Sequence, residues 1–297
     1  METARRAQAE IQKAFKGSGE PVRKALACFL AGGHLLIEDL PGVGKTLLAQ
    51  SMAKALGLGF KRLQMTPDLM PSDVTGGLIW IPQPGRYEFR RGPLFSEVVL
   101  LDELNRASSK TQSSVLQAME ERQISVDGQD YELPPLFFVM ATQNPKEEAG
   151  VNRLPTSQLD RFALKIQLGL PSPEFEKDIL RSGRREELLA RVEKAAEAAA
   201  WGEARRECAQ VKTSEAVLDY VLKLAAHLRA QEAHLSTRAL QSLLDLAKAW
   251  AWLEGRDYVI PEDVQVLAVE AWSHRLSRTS TERPVHVQDA LRAVRVL

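Results

Sequence analysis

The sequence predicts an α/β domain on a parallel sheet, followed by a smaller α-helical domain. Three observations carry this. The apolar runs His34-Leu35-Leu36-Ile37, Val98-Val99-Leu100-Leu101 and Phe137-Phe138-Val139-Met140-Ala141 have the unbroken character of strands buried on both faces. Helical periods separate them, and strands alternating with helices imply parallel pairing. After Leu168-Gly169-Leu170-Pro171-Ser172-Pro173 the aliphatic strands stop. Residues 174–297, rich in Ala, Leu, Glu, Arg and Lys, then read as a string of helices. The chain divides on this reading into residues 1–170 and 171–297.

The elements follow in order. Residues 1–16 read as a helix, broken by Gly17-Ser18-Gly19-Glu20-Pro21 and resumed over 22–30. A strand over 35–38 leads through a glycine-rich turn into a helix ending near Ala55, where Gly57-Leu58-Gly59 stops it. Residues 60–65 read as a second strand and 66–73 as a turn-rich loop. Alternation over 77–92, around Pro82-Gln83-Pro84-Gly85, predicts a hairpin. Residues 98–101 form a buried strand, placed beside the first, 110–122 a helix and 136–141 another buried strand. Pro261 sits at a helix start, where its missing N–H costs nothing. The charge-rich stretch 181–207 reads as a solvated helical face in preference to a partner site. No internal repeat is evident.

Bulk properties narrow the function classes. The chain has 297 residues with 44% hydrophobic content, enough for a substantial core. Lys+Arg and Asp+Glu both number 39, so net charge is zero, which argues against a generic nucleic-acid or anionic-membrane binder. Cys28 and Cys208 lie far apart and, like the five histidines, match no metal-ligand spacing. Both thiols are expected reduced, in a cytoplasmic protein. The N-terminus lacks the apolar stretch of a signal peptide, and no run is long enough to span a bilayer.

The chemistry concentrates in three places. Pro41-Gly42-Val43-Gly44-Lys45-Thr46 lies between a strand and a helix that begins near Leu47. Such a turn aims backbone N–H groups and a helix N-terminus at one spot, a ready phosphate site. Lys45 adds a mobile positive charge for outer phosphates, and Thr46 offers a hydroxyl to Mg²⁺. In the pattern G-x-x-x-x-G-K-[ST] the first glycine position holds Asp39, so the match fails at that end. Second, the strand over 98–101 runs into Asp102-Glu103. A carboxylate there can hold Mg²⁺, and the next can accept a proton from water. Third, the strand over 136–141 ends in Thr142-Gln143-Asn144-Pro145, where an amide can orient water beside a γ-phosphate. An Asn-Pro turn is the plainer alternative.

Together these blocks resemble the MoxR-type AAA+ ATPases. The resemblance rests on Gly42 to Thr46, Asp102-Glu103-Leu104-Asn105-Arg106, Thr111-Gln112 with Ala118-Met119-Glu120-Glu121-Arg122, Ala141 to Pro145, and Leu159-Asp160-Arg161-Phe162. It extends through Ser236-Thr237-Arg238-Ala239-Leu240 and Gly255 to Val264, which match the family's lid. The resemblance implies an ATP- and Mg²⁺-dependent ATPase with a P-loop AAA+ domain and an α-helical lid. Lys45 and Thr46 correspond to the Walker A lysine and hydroxyl, Asp102 and Glu103 to the Walker B metal residue and catalytic base. Asn144 corresponds to sensor 1 and Arg161 to the arginine finger that completes a neighbouring subunit's site. Arg238 corresponds to sensor 2, the lid arginine that reads the γ-phosphate. Gly17 falls near the adenine-contacting loop, although Lys16 replaces the valine usual before it.

The resemblance further implies a homo-hexameric ring that remodels or matures a protein client, commonly with a von Willebrand factor A-domain partner. Two other classes stay open: a AAA+ machine acting on nucleic acid or cofactor insertion, and a nucleotide-sensing scaffold with little turnover. Arg106 reads equally as intersubunit charge balance or as a local ion pair. The aromatics of residues 75–93 read equally as a partner contact or as hairpin packing.

Overall fold

Five parallel strands form one sheet in the order β2-β5-β8-β1-β9, with β1 at Leu35–Glu38, β2 at Phe60–Gln64, β5 at Val98–Asp102, β8 at Phe138–Gln143 and β9 at Leu164–Ile166. This is a computed structural model, in which residues 2–83, 85–144, 152, 154–170, 173, 176–177, 181, 185–231, 234–276 and 286–295 are described. Pro145 and the boundary residues Pro171 and Ser172 lie outside the described residues, as does Pro84 of the hairpin turn.

The sheet order corrects one expectation. β5 does not lie beside β1; β8 separates them, pairing Val98 with Phe138 on one side and Leu35 with Met140 on the other. Asp102 and the phosphate loop therefore face each other across the end of β8. β9, which the sequence reading passed over, closes the far edge by pairing Leu35 with Leu164. β8 also starts two residues later than expected, because Pro134 and Pro135 precede a turn in which Phe137 N–H donates to Pro134 O at 2.9 Å.

Side chains alternate across the strands and so feed two cores. Leu36, Val99, Leu101, Val139 and Ala141 face helix α5 (Ser109–Glu121) and the hairpin of β6 (Gln123–Val126) and β7 (Gln129–Glu132). Leu35, Ile37, Val98, Leu100, Phe138 and Met140 face α1 (Glu2–Ala14), α2 (Gly19–Leu30) and α3 (Lys45–Leu56). The second core continues without a break into the helical region, through Trp201, Leu224, Leu243, Leu246, Leu267 and Trp272. The Trp201 indole donates to Leu56 O at 2.8 Å, tying that region to the end of α3.

α2 begins earlier than expected, because Ser18 caps it by accepting from Glu20 N–H and Pro21 falls in the permissive first turn. The loop over 66–73 hides a short helix, α4 (Pro71–Thr75). The expected hairpin is present as β3 (Gly76–Ile81) and β4 (Arg86–Arg91). Its aromatics divide: Phe89 stacks on Tyr131 at 4.1 Å, whereas Trp80 and Tyr87 form an edge-to-face pair at 5.1 Å and stay more than half exposed.

Beyond the sheet, helices span Arg185–Ala190, Ala198–Ala209, Glu215–Arg229, Thr237–Leu253, Pro261–Trp272 and Val287–Ala293. Ser236 caps Thr237–Leu253 by accepting from Ala239 N–H at 3.1 Å. Pro261 is the first residue of its helix, and Asp263 reaches back to Ile260 N–H at 2.9 Å. Arg256 forks onto the same carboxylate at 2.5 and 2.8 Å, which gives the Gly255 to Val264 block a structural purpose. Cys28 and Cys208 are buried and unbridged. Burial pushes both thiols up, Cys208 to about 12. Among the described residues no helix is long and apolar enough to cross a membrane, and no group of three or more His, Cys, Asp or Glu gathers as a metal set.

Candidate functional site

At the carboxyl ends of β1, β5 and β8 lies a cavity of about 400 Å³ lined by Pro41, Gly42, Gly44, Lys45, Thr46, Leu47, Asp102, Glu103, Asn144, Arg185 and Leu188. This is where an α/β sheet offers a ligand crevice. Gly42 and Gly44 take φ of 87° and 93°, a left-handed backbone that glycine adopts at little cost. Gly44 is the N-cap of α3 and contributes no side-chain cap, and the N-terminus of that helix opens onto the cavity, where its dipole favours an anion. Val43 turns its side chain into the core. The Lys45 ammonium donates to Asp39 O at 2.6 Å.

Asp39, the departure from the glycine pattern, has a structural role. Its carboxylate accepts from Leu40 N–H at 2.8 Å and from Leu168 and Gly169 N–H at 2.7 and 2.8 Å. It thereby pins the chain leaving β9 to the phosphate loop. Gly17 does not line the cavity. A side chain there would strike the Phe15 ring, which itself lies against Gly44, so the N-terminal loop supports the phosphate loop through Phe15.

The acidic pair is held by one hydroxyl. Thr142 Oγ1 donates to Asp102 Oδ1 at 2.7 Å and accepts from Glu103 N–H at 2.8 Å. Glu103 has φ 59° and ψ 51°, a conformation that costs a non-glycine residue about 1–3 kcal/mol and persists only where the surroundings impose it. Its carboxylate accepts from Gln64 Nε2 at 2.7 Å and pairs with Arg106 at 3.3 Å. Arg106 is thus a local ion-pair partner within its own chain. Arg62 donates twice to Asp102 Oδ2, at 2.7 and 3.1 Å. Behind the pair, the buried Gln112 amide donates to Leu104 O, Ala107 O and Asn152 O at 3.2, 3.2 and 2.9 Å, fixing the turn that follows Glu103.

Arg161 and Arg238 lie elsewhere. Both reach Glu120 at the end of α5, Arg161 Nε at 2.8 Å on Oε2 and Arg238 on Oε1. They line a separate depression with Gly32, Gly33, Arg122 and Asp160. Burial is partial, and the two guanidiniums hold the Glu120 carboxyl below its usual range. The lid arginine expected to read the γ-phosphate therefore does not line the cavity of its own chain. Arg185 and Leu188 from the helical region line it instead, and Arg185 donates to Gln50 Oε1 at 2.5 Å. Sequence reading missed both. Arg185 lies in the charge-rich stretch taken as a solvated face, and only its folding back onto α3 singles it out.

The phosphate loop, the helix N-terminus that carries no side-chain cap, the free backbone room at Gly42 and the paired carboxylates fit a nucleoside triphosphate with a divalent cation. Known proteins agree. Residues 34–164 match the ATPase family associated with various cellular activities (AAA), and residues 224–294 match the AAA lid domain. The protein YeaC of Bacillus subtilis is 40% identical, covering 90% of this chain and 84% of that one. Chaperone MoxR1 of Mycobacterium tuberculosis is 37% identical over 94% of this chain and 77% of that one. A solved structure from Cytophaga hutchinsonii, an inferred ATPase, superposes with a TM-score of 0.88 at 33% identity, covering 99% of this chain and 95% of that one. The α/β domain with its parallel sheet, the helical lid and these relatives together show that the chain belongs to the MoxR-type AAA+ ATPases.

Proposed function

We propose that the protein hydrolyses ATP with Mg²⁺ and uses the cycle to remodel or mature a client protein complex. The observation that carries this is the single cavity that gathers Lys45, Thr46, Asp102, Glu103 and Asn144 at the open end of the sheet. Lys45 and the first N–H groups of α3 hold the phosphates. Thr46 and Asp102 hold the cation, which when bound offsets charge on the phosphate oxygens. Glu103 takes the proton of the attacking water on its carboxylate, and Asn144 orients that water. Residues 1–170 form the nucleotide-binding unit and 171–297 the lid.

Arg161 and Arg238 complete the site of a neighbouring subunit. Support comes from their position: both lie outside their own chain's cavity, side by side on Glu120. A site completed by a neighbour calls for a head-to-tail contact that closes, hence a ring, and a homo-hexamer by family resemblance. The client is a protein, with a von Willebrand factor A-domain partner as the first candidate. The chaperone name of the mycobacterial relative and the exposed Trp80–Tyr87 pair support this. A cytoplasmic setting is supported by the two unbridged cysteines.

The test is the Glu103→Gln variant. It should bind ATP and Mg²⁺ as the native protein does and lose turnover by roughly 10²–10⁴-fold, the usual worth of a positioned base. Hydrolysis at the native rate would overturn the assignment of Glu103.

A further inference from the structure

The guanidinium of Arg275 is almost wholly withdrawn from water, with a side-chain exposure of 2%. It follows helix Pro261–Trp272 in the lid, yet most of its contacts lie on the α/β domain. Nη2 donates to Phe162 O at 2.8 Å and to Asp160 O at 3.3 Å, and Nε approaches Asp160 Oδ1 at 3.3 Å. A 3.2 Å contact to Ser242 Oγ stays within the lid. Nε and Nη1 are both buried with no hydrogen-bond partner. Burying an arginine with neither Nε nor Nη1 hydrogen-bonded and a single carboxylate at 3.3 Å is costly.

The acceptors bracket one residue. Asp160 and Phe162 flank Arg161, and two further lid side chains reach the same pair. His274 Nε2 lies 2.9 Å from Phe162 O, and Ser236 Oγ donates to Asp160 Oδ2 at 3.2 Å. The backbone of Arg161 is thus suspended from the lid, while its side chain is aimed by Glu120 on α5.

We propose that Arg275 is a positioning residue for Arg161: it fixes the carbonyls of the two residues that flank Arg161, Asp160 and Phe162, to the lid, so that Arg275 serves the active site of the neighbouring subunit and not that of its own chain. The inference rests on the reading of Arg161 as a residue acting across a subunit boundary. A shift of about 1 Å at a catalytic group costs about 10²-fold in rate, so a contact this remote from the cavity can matter. It requires no change in ATP binding by the chain that carries Arg275.

A complementation experiment tests it. Arg275→Gln should lower ATPase activity of the full-length protein by about 10²-fold while ATP affinity stays within about twofold. Mixed under subunit exchange with Lys45→Ala, it should regain activity, since some interfaces then join an intact phosphate loop to a properly held Arg161. Mixed with Arg161→Ala it should regain nothing, because both lesions fall on the same side of the interface. Native mass spectrometry verifies that mixed rings form. If Arg275→Gln fails to fold, Arg275→Lys enters the same mixtures; it keeps the charge but cannot reach both flanking carbonyls and Ser242 together. Native-level activity of the folded variant, or no recovery with Lys45→Ala where the Arg161→Ala and Lys45→Ala pair does recover, overturns the role of Arg275. If that second pair also stays inactive, the shared-site reading fails and the inference falls with it.

Discussion

Glu120 accepts Arg161 on one carboxylate oxygen and Arg238 on the other. The two arginines come from different regions, one from the turn after the short helix Thr156–Leu159 and one from the first turn of lid helix Thr237–Leu253. One carboxylate therefore sets the spacing of two like charges that would otherwise separate. Arg275 fixes the backbone beneath Arg161, and Glu120 fixes its tip.

Replacing Glu120 should loosen both arginines at once. Glu120→Ala is expected to lower ATPase activity by roughly tenfold, less than the 10²-fold of a full displacement, with ATP affinity unchanged. The exposed ion pairs themselves contribute little to folding, so the melting temperature should barely move. Steady-state kinetics beside a fluorescence titration checks this; a variant as active as the native protein shows that Glu120 only shields the charges.

Arg62 occupies Oδ2 of Asp102, the carboxylate proposed to hold the cation. Arg62→Ala should therefore lower the Mg²⁺ concentration needed for half-maximal ATP-analogue binding, by up to roughly fivefold, the equivalent of the ~1 kcal/mol at the upper end for exposed ion pairs. An increased Mg²⁺ requirement would mean instead that Arg62 supports the bound phosphates.

Two buried histidines give stability a specific pH dependence. His34 accepts from Val139 N–H at 3.0 Å, and His274 lies against Phe162 O; burial lowers both to about 3. Native histidines thus stay neutral where those of the unfolded chain, near 6.5, take up protons. The stabilisation is complete above about pH 6.5 and is lost as pH falls toward 3. From pH 6.5 to 5 each histidine should cost about 2 kcal/mol. Denaturant unfolding across that range checks it. His34→Gln should flatten the slope even if it lowers stability overall; an unchanged slope would show that His34 is not the source.

Much of this architecture was legible because its signals are local. Aliphatic runs marked β1, β5 and β8, and Gly42, Gly44, Lys45 and Thr46 marked the loop between strand and helix. What escaped depends on partners distant in sequence. β9 is three residues long with Lys165 at its centre, and becomes a strand only by pairing with β1. The order of β5, β8 and β1 is a matter of registry that no window reveals. Glu120 sits in an ordinary helical ending, and its importance appears only when Arg161 and Arg238 arrive from 41 and 118 residues away. Arg185 was hidden among charges of a helix that looked solvated.

The central claim is that each active site is completed by the arginines of a neighbour, and mixing two inactive variants tests it most directly. Arg161→Ala should lose most turnover, about 10³–10⁵-fold for a finger acting in trans, while binding ATP normally. Lys45→Ala should lose nucleotide binding. Combined under subunit exchange they should recover a measurable part of native ATPase activity, because some interfaces pair an intact phosphate loop with an intact Arg161. Mixed rings that form, as shown by differential tags, yet hydrolyse no more than either variant alone would contradict the claim and return Arg161 to a role within its own chain.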